Sequence, residues 1–175
     1  GMPYRIYGGL RFYERQEIKD ALAYLRLLQN KSDDASFERI VNLPPRGIGN
    51  KTVDVVRSCA RNSGMSMWQA VHHLIEHKEV TARALSSLQA FANLIQSMQA
   101  DIESMELHEQ IEHVIHHSQL IAHYEKEKGE RGRNRIENLD ELVSAGRSFE
   151  QDEWEESDMD RLSAFLSHAS LEAGE

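Results

Sequence analysis

The chain contains one cysteine, three prolines and ten glycines in 175 residues, and each scarcity closes off a class of structure. Cys59 has no second thiol to pair with, so no internal disulfide staples the fold, and a reducing, cytosolic compartment is expected. Proline and glycine are too few for a collagen-like or low-complexity segment, and no apolar run approaches the roughly 18 residues of a membrane-spanning helix. Also missing are a Gly-x-x-x-x-Gly-Lys-Ser/Thr phosphate loop and an apolar strand ending in paired acids for magnesium. This stretch of chain is therefore not expected to hydrolyse a nucleotide by itself. No basic-then-apolar leader opens it, and the glycine ahead of Met2 reads as a residue left by tag removal.

What is present is an ordinary globular composition, 40% hydrophobic and 28% charged, sized for about one domain. The formal net charge of -9 is unevenly spread: residues 1–62 carry 11 Lys/Arg against 7 Asp/Glu, whereas residues 63–175 carry 9 against 22. A globally acidic protein repels nucleic acid at long range, yet a local basic face can still hold phosphates at close quarters.

Apolar residues recur at helical spacing along most of the chain. Ile18, Leu22, Leu25 and Leu28, flanked by Ala21 and Tyr24, predict a helix over about 14–30. Ser32-Asp33-Asp34 offers capping chemistry before a short helix with Phe37, Ile40 and Val41, which must stop before Pro44-Pro45. Asn50 is expected to cap the next helix, with Val53, Val55 and Val56 as burial candidates and Gly64 as its end. Ser66 then caps a helix carrying Met67, Trp68, Val71, Leu74 and Ile75. Ala84, Leu88, Phe91, Ile95 and Met98 form a packing seam, and further helices are expected around Ile111–Ile115, Leu120–Tyr124, Ile136–Phe149 and Arg161–Leu171. Tyr4-Arg5-Ile6-Tyr7 is the one strand candidate. Lys126–Arg135 reads as a basic loop and Glu150–Asp160 as an acidic linker. The expected fold is all-α: an irregular multi-helix domain over 10–175, with residues 1–9 as a strand remnant.

The most informative local pattern is Asn42-Leu43-Pro44-Pro45-Arg46-Gly47-Ile48-Gly49-Asn50-Lys51-Thr52, which resembles a helix-hairpin-helix turn. Two glycines allow positive φ and a close approach to phosphate. The following helix start offers unpaired N–H groups, with Arg46 and Lys51 adding positive charge. Such contacts go to the DNA backbone and carry little sequence information. An ordinary tight turn with a surface Arg and Lys gives the same pattern.

Other constellations have plain structural readings. His73/His77 and His113/His117 stand at i, i+4 but without a complete ligand set, so no metal is expected. Cys59 sits among Val55, Val56 and Ala60 like a small core residue, and Glu14, Glu17 and Asp20 suit salt links. Trp68, Phe12 and Phe91 fit apolar helix faces, whereas Trp154 lies in the acidic stretch.

Three segments occur in a telling order: Pro3-Tyr4-Arg5-Ile6-Tyr7-Gly8-Gly9-Leu10-Arg11-Phe12 running on to Glu17-Ile18-Lys19-Asp20, then Arg46-Gly47-Ile48-Gly49, then Arg135-Ile136-Glu137-Asn138-Leu139-Asp140-Glu141-Leu142. With them the chain resembles the UvrD/Rep family of superfamily 1 DNA helicases from Met2 to its last residue. The resemblance implies a 2B accessory domain inserted in the second RecA-like motor domain, whose edge would be residues 1–9. It implies a bacterial, cytoplasmic, nucleoid-associated parent enzyme that uses ATP and magnesium to move 3′ to 5′ on single-stranded DNA in nucleotide excision and mismatch repair. Carried onto this chain, the duplex-contacting loop falls on Gly47, Ile48 and Gly49, with Arg46, Lys51 and Thr52 beside it. Phe12, Glu17, Ile18, Asp20, Arg135, Glu137, Asn138 and Leu139 are expected at the junction with the host domain. The implied partners are duplex DNA at a single-strand junction, the motor domains and repair proteins, with no membrane. The alternative is a module whose acidic helices after residue 63 contact protein, and a weaker one is a self-contained hydrolase.

Overall fold

The computed structural model describes residues 9–152 and 160–174. Every element among them is helical: a 3₁₀ turn at Gly9–Glu14, then α1 (Gln16–Gln29), α2 (Asp34–Ile40), α3 (Asn50–Ser63), α4 (Met67–His77), α5 (Ala82–Ile102), α6 (Leu107–His117), α7 (Leu120–Glu125), α8 (Glu130–Asp152) and α9 (Arg161–Glu172). The strand expected at residues 4–7 and Trp154 lie outside the described residues. The chain forms two compact units, one of Gly1–Leu25 with Ile102–Glu175 and the other of Arg26–Asp101. Helical periodicity shows which face of each helix is apolar but not which helix that face will meet, so this division was not visible in the pattern.

In the first unit, α1 is buried beyond the expected stripe: Glu17, Ile18 and every residue from Asp20 to Leu25 are enclosed. A helix surrounded on nearly all sides must satisfy its polar side chains inside. Tyr124 of α7 donates its hydroxyl to Asp20 Oδ2 at 2.8 Å, and Asn138 of α8 donates Nδ2–H to Glu17 Oε2 at 2.6 Å. Helices α6, α7 and α8 pack on one another, and α9 packs against the 3₁₀ turn and α8, where Phe165 meets Tyr13 and Phe149 edge-on. Asp160 caps α9 by accepting the Ser163 N–H at 2.7 Å. The basic stretch at 126–135 is a loop only in its first half, because α8 begins at Glu130. The acidic stretch begins as helix, since α8 continues to Asp152.

In the second unit, α4 packs on both α2 and α3. Phe37 and Phe91 meet edge-on at 5.6 Å with both rings fully buried. Local chemistry sets the helix ends. Asp33 caps α2 through the Ser36 N–H, Ser66 and Gln69 form a reciprocal box at the start of α4, and Gly64 closes α3 at φ +63. Asp34 ties α2 to α4 by accepting the Met67 N–H at 3.0 Å. Of the three α3 valines expected inside, only Val56 is buried, and Val55 is 39% exposed. Apolar residues at 53, 55 and 56 cannot share a single face at 100° per residue. Cys59 is half-buried rather than enclosed, and burial together with the nearby Glu79 charge pushes its thiol up.

Candidate nucleic-acid interface

Residues 41–49 join α2 to α3, and two internal anchors shape the turn. Asn42 Oδ1 accepts the backbone N–H of Arg46 at 2.6 Å and that of Ile48 at 3.2 Å, while the Ile48 side chain is 1% exposed and sits in the core. Asn is suited to this role because its short side chain reaches nearby backbone donors. Ile48 thus holds the loop from within, and its side chain is not part of the outer surface. Gly47 and Gly49 flank it and are both exposed.

The two glycines differ in kind. Gly47 has φ +80, and a Cβ there would lie 3.1 Å from Ser87 Oγ on α5. Both the backbone and the space call for glycine. Gly49 is extended, with φ -80 and ψ -178, and a Cβ would meet nothing within 4 Å. The expectation of positive φ thus holds at Gly47 and fails at Gly49. Gly49, not Asn50, is the N-cap of α3, and among the described residues no side-chain hydrogen bond caps its first turn.

In this the start of α3 differs from those of α2, α4, α6 and α9. Asp33, Ser66 and Asp160 accept amides at the starts of α2, α4 and α9. Glu150 reaches from α8 to accept the N–H groups of Leu107 and His108, both at 3.3 Å, at the start of α6. The open amides of α3 carry the partial positive charge of a helix N-terminus, with exposed Lys51 beside them and half-buried Thr52 behind. Arg46 is half-buried. Arg57, further along α3, is committed elsewhere: its guanidinium grips Glu38 of α2 at 2.6 and 3.1 Å and also meets Asp54. It therefore braces the two helices that flank the loop.

The proposed junction residues all belong to the first unit. Phe12, Ile18 and Leu139 are fully buried. Glu17 is held by Asn138, whose Oδ1 accepts from Arg15 at 2.8 Å. Asp20 is held by Tyr124, and the Arg135 guanidinium lies 5.2 Å from the centre of that ring. Burial and the adjacent Asp20 charge push the Tyr124 phenol well above its ordinary range. Glu137 is exposed. The contacts seen here join α1 to α7 and α8. The histidine pairs lie ring beside ring, His73 and His77 at 4.4 Å and His113 and His117 at 4.9 Å, as i, i+4 spacing on a helix requires.

Sequence reasoning missed Asn42, whose partners are four and six residues away, and also missed the turn after α4. There Lys78, Val80 and Ala84 line a cleft of about 700 Å³ together with Lys51, Thr52 and Val55.

The UvrD-like helicase C-terminal domain family matches residues 1–175, and the chain belongs to that family. It is 56% identical over 174 residues to DNA helicase II of Escherichia coli (strain K12), covering 99% of this chain and 24% of that protein. Identity to DNA helicase II of Haemophilus influenzae is 54% over 175 residues, with 99% and 24% coverage. Identity to the ATP-dependent DNA helicase PcrA of Bacillus subtilis is 36% over 171 residues, with 98% and 22% coverage. The chain thus spans less than a quarter of the length of these relatives.

Proposed function

We propose that this chain is the duplex-contacting regulatory domain, the 2B accessory domain, of an ATP-dependent 3′-to-5′ DNA helicase acting in nucleotide excision and mismatch repair. The observation that carries the reading is the uncapped start of α3 behind two exposed glycines, with Lys51 on its first turn. The names borne by the similar proteins, DNA helicase II and ATP-dependent DNA helicase, support it.

In this reading a backbone phosphate takes the place that a capping carboxylate fills in other helices. Its oxygens accept the first-turn N–H groups of α3, and Lys51 adds a cation. Gly47 and Gly49 present backbone without a Cβ, so the sugar-phosphate chain approaches closely. Asn42 and the buried Ile48 hold the turn in shape before DNA arrives, which lowers the ordering cost of binding. No base edge is read, so binding is independent of sequence and steeply dependent on salt. ATP and magnesium are not assigned to any residue here, because the chain has no phosphate-binding loop to cradle a nucleotide. Their chemistry belongs to the motor of the longer protein. The domain's role is to grip duplex while the motor draws in a single strand.

Gly49→Asp tests the reading directly. The extended backbone and open space accept the side chain, and a carboxylate there caps α3, so the fold gains roughly 0.3–1 kcal/mol. The same carboxylate occupies the amides and repels phosphate. Fluorescence anisotropy with labelled hairpin duplex, single strand and 3′-tailed duplex, at low and physiological salt, is expected to show salt-sensitive duplex binding that Gly49→Asp weakens at least about tenfold. Equal duplex binding by the more stable variant would overturn the proposal and favour a protein-contacting module.

A further inference from the structure

The cleft beside α3 shares Lys51 and Thr52 with the loop described above but extends beyond it, to Val55 one turn further along α3 and to Lys78, Val80 and Ala84 across from it. Its volume of about 700 Å³ lies within the range of small-ligand sites. Its lining is mixed: valine and alanine side chains, with an exposed lysine from α3 and another from the turn after α4.

The backbone at Lys78 is unusual. Lys78 closes α4 at φ +52 in the left-handed region, the conformation that glycine adopts with least strain, and Gly64 does that same job at the end of α3. An L residue there is strained relative to right-handed backbone. A lysine held in such a conformation at the mouth of a cleft points to a use for its side chain. Glu79, the acidic member of the lining, has its carboxylate 3.6 Å from His73 Nε2. Thr81 is engaged as well: its hydroxyl oxygen accepts the Ala84 N–H at 3.2 Å, so the start of α5 is closed by its own side chain.

Resting on the duplex reading, we propose that this cleft is a second DNA-backbone subsite, in which Lys78 takes a phosphate of the strand leaving the Gly47–Gly49 loop and Val55, Val80 and Ala84 pack against its deoxyribose. Sugar-phosphate chain alternates an apolar ring with an anion, which matches an apolar lining with a lysine on each side. The subsite reads no base, and it adds one counterion-releasing contact to the loop's own.

Lys78→Gly removes the charge and eases the backbone, so the variant folds. Anisotropy titrations of the whole chain on the duplex probe, across a salt series, are expected to show a several-fold loss of affinity and a salt slope smaller in magnitude by about 1. Val55→Asp, which places a carboxylate on an exposed position of the lining, is expected to weaken binding at least as much. Lys78→Arg should restore the slope, and Arg61→Ala, which removes an exposed cation near the far end of α3, should leave the slope unchanged. Should Lys78→Gly and Val55→Asp bind like the parent chain while Gly49→Asp does not, the subsite is refuted and the loop reading stands. A slope change in Arg61→Ala equal to that in Lys78→Gly refutes the subsite as well, since it shows only general charge. If the parent chain does not bind duplex, or Gly49→Asp is without effect, both readings fail.

Discussion

Asn42 holds Ile48 at a distance of six residues: its side-chain oxygen accepts the Ile48 backbone N–H at 3.2 Å while the Ile48 side chain is sealed in the core. One end of the turn is thus fixed by a hydrogen bond and the other by burial, and the exposed glycines between and after them inherit their positions.

Removing the first anchor should be felt both in stability and in binding. Asn42→Ala leaves the Arg46 and Ile48 amides without their acceptor, at a cost of about 1–3 kcal/mol. Asn42→Asp keeps the accepting oxygen and should recover most of it. Urea unfolding read by circular dichroism measures the loss. Equal stability of Asn42→Ala and the parent chain would show that the two hydrogen bonds do not shape the loop.

The two glycines of the turn should separate in the same assay. Gly47→Ala places a Cβ at φ +80 and 3.1 Å from Ser87 Oγ, and is expected to lose about 1–2 kcal/mol. Gly49→Ala meets open space in extended backbone, so its cost is limited to the poorer N-cap that alanine makes, at most about 1 kcal/mol. Denaturation midpoints of the two single variants test this order, and a Gly49→Ala loss as large as that of Gly47→Ala would contradict it.

This contrast shows what the chain's letters disclose. Gly64 and Ser66 were legible as caps, and the cap of α2 as one of Ser32, Asp33 and Asp34, because a cap acts on residues within one turn of it, and the all-helical class followed from apolar spacing. Gly47 and Gly49 are the same letter, yet Gly47 is left-handed and close to Ser87 while Gly49 is extended and faces open space, so they read alike and behave differently. Val55 sits within an apolar run but falls on the outer face of α3, which only the helix register decides. Lys78 gave no signal, since a lysine does not announce a left-handed C-cap and the cleft it lines brings residues 78–81 and Ala84 beside α3, far apart in sequence. The pairing of Asp20 with Tyr124 spans 104 residues, and no local pattern encodes it.

That pairing has a spectroscopic consequence. Tyr124 is one of five tyrosines, and burial with the neighbouring Asp20 charge keeps its phenol protonated above the ordinary value of 10. The folded chain holds this proton more tightly than the unfolded chain does. Its contribution to stability is therefore complete below pH 10 and is lost as pH rises beyond that. A tyrosinate absorbance titration should show a late-ionising group that is missing from Tyr124→Phe. That variant also removes a hydrogen bond to a buried carboxylate, and should cost about 1.5–3 kcal/mol. Ordinary titration of all five tyrosines in the folded chain would show that the Asp20 contact is absent in solution.

At the opposite end of the pH scale the sensitive group is Glu150. Burial alone would raise its pKa, but hydrogen bonds from the His108 side chain and backbone, from Arg161 and from the Leu107 N–H outweigh burial and hold the carboxyl below its ordinary value of 4.5. Here the folded chain binds the proton more weakly than the unfolded one. The stabilisation is therefore fully present above about pH 4.5 and drains away as pH falls through the lower folded value. Glu150→Gln keeps the shape but gives up the charge that serves the α6 N-terminus and the Arg161 contact at 3.1 Å. The variant should be less stable than the parent chain at pH 7, and the difference should shrink steadily as pH falls from 4.5. Thermal unfolding at pH 7, 5, 4 and 3 measures it, and a gap of constant size across that series would mean that the Glu150 charge does not stabilise the start of α6.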